Sequence, residues 1–243
     1  MIIQWMGYEW LTHERWGCVN INDTVRWNDP DAIKIDNDGT LRLYARPNKK
    51  IHNIDGKEIE SIIGFGLLSC TTQFNHGTFE IEAKLPNGPY TWPAFWCWAF
   101  ESYPPEIDML EGYSNKKGSY FSWTLNALIG KFWKVNTNIH LKDHVKNAHK
   151  NGSWWQLGAK NHWLGFKSPN KKFNKYKLFW SPNEISIYYN NHKVKHISDK
   201  SILNQFKNKT MNIILNNSVQ NNYLNTNMPQ TEFIIKYFKY TPL

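Results

Sequence analysis

The chain has 243 residues, 41% of them hydrophobic and 16% aromatic, enough to bury a substantial core without a disulfide framework. It contains no run of about 18 apolar residues, which excludes a transmembrane helix, and its three cysteines (Cys18, Cys70, Cys97) lack metal-binding spacing and leave at least one thiol unpaired. The net charge of +9 rests on 25 Lys and only 4 Arg, beside 29 Asn. With the lysines scattered, bidentate Arg scarce and no nucleic-acid motif present, a generally basic surface is expected rather than a polyanion site.

In chain order, the opening segment MIIQWMGYEWLTHERWG lacks the basic-then-apolar pattern of a signal peptide, as a mature chain or one exported by another route would. Strand-like runs rich in β-branched and aromatic residues follow at 41–45, 77–85, 95–100, 176–180, 184–189, 211–216 and 231–240. Turn formers bound them: NDG before LRLYA, PNG after EIEAKL, and SPN between YKLFW and EISIYY. Asn190–Asn191 accepts positive φ, so EISIYY-NN-HKVKHI reads as a hairpin. The best short helix is 198–206, with Ser198 as its expected cap, and 112–175 reads as the least regular region. No internal repeat or long linker divides the chain, so residues 1–243 are expected to form one all-β domain of two packed antiparallel sheets. The three cysteines are expected to be buried small apolar residues.

The densest chemical signal is EIDMLE at 106–111, three carboxylates in six positions. On a regular strand Glu106 and Asp108 share a face and Glu111 points away. One extra residue, a bulge at Met109–Leu110, returns Glu111 to that face. Four strand steps then separate the Glu106 and Glu111 Cα atoms by roughly 13 Å, and inward-leaning side chains leave a carboxyl gap on the order of 5–6 Å. Asp108 between them can share a proton and separate their pKa values. The spacing alone fits a solvated acidic turn equally well. The preceding TWPAFWCWAF tips the balance towards an aromatic-lined groove: Trp92, Trp96 and Trp98 share a face in simple alternation, although Pro93 is a candidate strand breaker. Thirteen Trp exceed what the core of such a domain normally uses.

The block GLLSCTTQFNHGTFEIEAKLPNGPYTWPAFWCWAFESYPPEIDMLE resembles the central segment of glycoside hydrolase family 16, with its G-x-F-E strand, K-L-P-x-G, W-P-A-F-W and E-x-D-x-x-E. The bulged E-x-D-x-x-E form is similar to that of laminarinases, agarases, porphyranases and kappa-carrageenases. The resemblance implies a β-jelly roll with a concave substrate cleft and a retaining endo-β-glycosidase cutting β-1,3 or β-1,4 linkages of a β-glucan or algal-type β-galactan. It implies Glu106 as nucleophile, Glu111 as general acid/base and Asp108 as the assisting carboxylate. Trp92 and Trp96 match cleft tryptophans, His140 in TNIHL matches a cleft histidine with His144 and His149 as competitors, and Trp163 is a further sugar platform. The chain departs from the family pattern at Glu82, at Asn190–Asn191 and in NSVQNN after the L-N segment.

Two carboxylates and water suffice for this chemistry, so no metal or organic cofactor is expected, and a structural calcium ion is not readable from the sequence. The expected partner is a polysaccharide, with neither nucleic acid nor membrane, and the expected state is an extracellular monomer. Two alternatives remain open at this level: a catalytically silent carbohydrate-binding protein on the same fold, and a glycan depolymerase carried by a phage virion.

Overall fold

The computed structural model describes residues 1–20, 22–99, 101–121, 132–164, 168–221 and 226–243. Its regular elements are nearly all strands, arranged among the described residues as two ten-stranded sheets face to face. Down the middle of the first sheet run Leu67–Cys70, Asn212–Val219, Thr91–Trp98, Glu106–Glu111 and Phe132–Leu141, in that order. The middle of the second sheet is Asn174–Trp180, Gly77–Lys84, Thr231–Pro242, Leu41–Ile54 and Lys57–Phe65.

The alternation expected of half-buried strands is clearest in Gly77–Lys84, where Phe79, Ile81 and Ala83 are buried and Glu80, Glu82 and Lys84 are not. Those inward side chains meet Phe95, Cys97, Ile107, Met109 and Leu110 of the first sheet in one continuous core. Asn212–Val219 is buried along its whole length because its second face is covered too: Asn216 and Ser218 line a cleft, and Ile214 packs with Leu67 and Trp98. All seven strand-like runs fall on strands, Phe100 of the 95–100 run lying outside the described residues, and the 190–191 turn has both Asn at positive φ (46° and 67°).

Four expectations need correction. Pro93 does not interrupt Thr91–Trp98: its carbonyl accepts from the Gly112 N–H, so its missing N–H faces the side where the neighbouring strand has ended at Glu111. The helix Lys200–Leu203 is capped by Asp199, whose carboxylate accepts from the Ser201 N–H at 2.8 Å, not by Ser198. Region 112–175 is more regular than its composition suggested, holding the strands Phe132–Leu141, His149–Asn151, Trp154–Gln156 and Ala159–Leu164. Cys18 is only half-buried, unlike Cys70 and Cys97. No helix among the described residues is long and apolar enough to cross a membrane.

Candidate active site

The carboxylate strand pairs Asp108 with Asn138 and Glu111 with Asn136, so three steps on one strand face two on its neighbour. On the other side Asp108 pairs with Trp96 and Leu110 with Phe95, leaving Met109 without a register partner in either ladder. This is the bulge expected at Met109–Leu110 if Glu111 is to share the face of Glu106 and Asp108. Ile107, Met109 and Leu110 are sealed in the core, while Glu106, Asp108 and Glu111 all line a cleft of about 790 Å³ on the opposite face of the sheet. Trp92, Ala94 and Trp96 line it from the neighbouring strand, as their alternation predicted, and Asn216 and Ser218 from the next.

Each carboxylate has its own surroundings. Glu111 Oε1 accepts from Tyr113 Oη at 2.5 Å and from Trp92 Nε1 at 3.2 Å. The Trp92 and Tyr113 rings stack at 5.5 Å, and the Arg26 guanidinium lies 5.3 Å over Trp92. Burial, and then the charge of Asp108, push the Glu111 carboxyl up to about 7 against the lowering effect of those two hydrogen bonds. Burial also holds Glu106 well above the usual carboxylate range, with the charge of Asp108 and a hydrogen bond to it acting in the same direction. Asp108 is 3% exposed.

His140 stands opposite Glu106 in the register, and its Nε2 lies 3.2 Å from Asp108 Oδ2 and 3.3 Å from Glu106 Oε1. Burial alone lowers its pKa, but the hydrogen bond to Asp108 and the charges of Asp108 and Glu111 outweigh this and leave it raised. Register therefore chooses among the three histidines: His144 is an exposed ring against Trp155 and His149 is exposed on its short strand. Glu106, Asp108 and His140 bring ligand atoms within 4.8 Å of one another, so among the described residues they are also a group that could hold a cation. Trp163 pairs with Trp133 through the backbone, and its side chain lies outside the described residues.

Several cleft residues escaped the sequence reading. Tyr113 carries a readable signal, since it sits two residues beyond Glu111 and even spacing keeps it on that face. Asn138 has the same relation to His140, and its Nδ2 lies 3.3 Å from His140 Nε2. Glu14, Trp16, Asn20, Asp23 and Arg26 form a wall contributed from outside the central strands, joined by Phe65 from the end of Lys57–Phe65, and no local pattern announces it. Trp98 shares the Trp96 face yet is 3% exposed, covered by Trp16 and Tyr103. Past Glu106 the cleft continues into a second hollow of about 780 Å³ lined by Arg15, Trp98 and Trp154, and Trp16, Trp96, Tyr103 and Glu106 border both parts.

A two-sheet β-sandwich with three carboxylates on a bulged strand in an aromatic cleft defines the jelly-roll class of carbohydrate-active proteins. The sequence profile of "Glycosyl hydrolases family 16" matches residues 22–237, and the chain belongs to that family. The endo-1,3-1,4-beta-glycanase EglC of Rhizobium meliloti (strain 1021) is 23% identical over 167 residues, covering 62% of this chain and 34% of that protein. A beta-1,3-glucan-binding protein of Penaeus monodon is 33% identical over 92 residues, 33% of this chain and 24% of that protein. These matches thus span about a third or less of the curated relatives' length. A family 16 structure from Bacteroides ovatus, in complex with a G4G4G3G product, has the same fold at a TM-score of 0.62 and 20% identity, covering 89% of this chain and 88% of that one.

Proposed function

We propose that the protein is a retaining endo-β-glycosidase that cuts internal linkages of an extracellular β-glucan or algal-type β-galactan, with residues 1–243 acting as one catalytic domain. The observation that carries this reading is the bulge at Met109–Leu110, which sets Glu106, Asp108 and Glu111 on one cleft face. In this reading Glu111, held at about 7, is the general acid that protonates the leaving oxygen and then the base that activates water. Glu106 is the nucleophile; its proton passes to Asp108 across their hydrogen bond, and His140 Nε2, within reach of both, steadies the charge left behind. Trp92 and Trp96 position the sugar, their indole nitrogens fixed by Glu111 and by Asn216 at 2.8 Å. The carboxylates supply both proton transfer and nucleophile, so the reaction calls for no cofactor.

The likeness to a glucan-binding protein favours a second reading, a cleft that binds glycan without cutting it. Three crowded carboxylates oppose this, because mere binding gains nothing from their mutual repulsion. Reducing-end release from laminarin, mixed-linkage glucan, agarose, porphyran and carrageenans separates the two readings. Turnover on one of them supports the hydrolase, and binding without turnover on any supports the lectin.

A further inference from the structure

The turn Glu14–Gly17 stands where the two hollows meet, and the roles above leave it unused. Gly17, at φ 97°, returns its N–H to the Glu14 carbonyl at 2.9 Å. The turn sends its side chains to different places: Glu14 lines the first hollow, Arg15 the second and Trp16 both. Trp16 is 43% exposed yet held, for its ring meets Trp98 at 5.5 Å and 76° while the Arg15 guanidinium lies 5.0 Å over the same Trp98. Glu14 is the opposite case. Its Oε2 is buried and has no hydrogen-bond partner among the described residues, an arrangement that costs a polar atom free energy until something pairs with it. Burial, then the charge of Asp23, push its carboxyl up to about 8, so at neutral pH it has a proton to donate. A held, exposed aromatic beside an unpaired carboxyl offers what a sugar ring presents, one apolar face and an edge of hydroxyls.

We propose that Glu14 and Trp16 form a sugar subsite beside the reacting bond, on the Glu106 side, in which a neutral hexose stacks on Trp16 and pairs a hydroxyl with Glu14. The proposal rests on the cleft being a glycan cleft. The ring is neutral because Glu14, Asp23 and Glu106 present carboxyl oxygens rather than a cation to this position, and the guanidinium of Arg26 is already engaged by Asp23 and the Val219 carbonyl. Both subsite residues precede residue 22, where the family match begins.

The test separates binding from turnover. Glu106→Gln protein is titrated with laminarihexaose, a mixed-linkage glucan hexasaccharide and neoagarohexaose, followed by calorimetry and tryptophan fluorescence. Added Trp16→Ala is expected to weaken the best of these by about tenfold, with Trp16→Phe restoring most of the loss. Glu14→Ala is expected to weaken it similarly, and Glu14→Gln, which keeps a donor and the shape, by less than about threefold. Binding unchanged in both alanine variants overturns the subsite, as does a tighter fit to sulfated than to neutral oligosaccharides, or binding of none of the three probes. A wild type that binds, loses binding through Trp16→Ala and cuts nothing supports the subsite while overturning the hydrolase.

Discussion

The Tyr189 hydroxyl donates across the core to the Met109 carbonyl at 3.0 Å, tying the second sheet to the one residue that both neighbouring ladders leave unpaired. A bulge frees backbone groups that must find other partners when buried, and Tyr189, fully buried, supplies one. Tyr189→Phe is therefore expected to destabilise the protein by about 1–3 kcal/mol, the usual cost of stranding a buried acceptor. Urea unfolding checks this, and activity is expected to fall with it because Glu111 hangs on the same bulge. A variant as stable and as active as the wild type would mean that Met109 is satisfied otherwise.

Deleting Leu110 removes the bulge. Glu111 then turns from the cleft into the core, and hydrolysis is expected to vanish even where circular dichroism reports a folded β protein. An active deletion would show that the strand re-forms the bulge elsewhere.

On the proposed mechanism, the same bulge should also set the stereochemistry. A carboxyl gap on the order of 5–6 Å leaves no room for an inverting water, so the first product should keep the β configuration. Proton NMR of the new reducing end, recorded before mutarotation, reads this directly, and an initial α anomer would refute it. Glu106→Gln should abolish turnover while oligosaccharide binding persists, because an amide cannot form the glycosyl-enzyme.

Tyr113→Phe deprives the Glu111 carboxylate of its shortest hydrogen bond, one that lowers its pKa. Without it the carboxyl should titrate above about 7, and the basic limb of kcat/KM should move to higher pH. A limb that stays put or moves to lower pH would assign it to another group.

Raised carboxyls also reverse the usual dependence of stability on pH. Glu14 and Glu111 rise from an ordinary 4.5 to about 8 and about 7, so between these limits the folded state binds more protons than the unfolded one. Stability should then be fullest below about 4.5 as far as these groups decide it, and be lost as pH rises through 7 to 8. Thermal melts at pH 5 and pH 8 test the sign, and Glu14→Gln should flatten the difference. A wild type that is more stable at pH 8 would contradict the assignment.

Sulfate groups should contribute little to affinity in the first hollow, where Arg26 is the one Lys or Arg among the described lining residues and is committed to Asp23. KM on the best substrate should change little between low and physiological salt, whereas a steep rise would show that the positive charge is used.

What the sequence determined by itself was whatever depends on neighbours in the chain. Period-2 alternation gave the strands and put Trp92 and Trp96 on one face, positive-φ Asn made the hairpin turn, and the one-then-two spacing of EIDMLE located the bulge, because side-chain direction along a strand follows from counting residues. Tertiary structure decided what depends on distant partners. Register against the carboxylate strand set His140 opposite Glu106, where resemblance alone had matched it and left His144 and His149 as competitors. Strands inside 112–175 exist because neighbouring strands offer ladders to a polar, Gly- and Asn-rich stretch whose own propensities favour loops. The wall of Glu14, Trp16 and Arg26, and the Tyr189 bond that holds the bulge, join residues far apart in the chain. The high pKa of Glu14 and Glu111 likewise comes from burial, which a sequence does not state, since it is the folded chain that removes water from around a carboxyl.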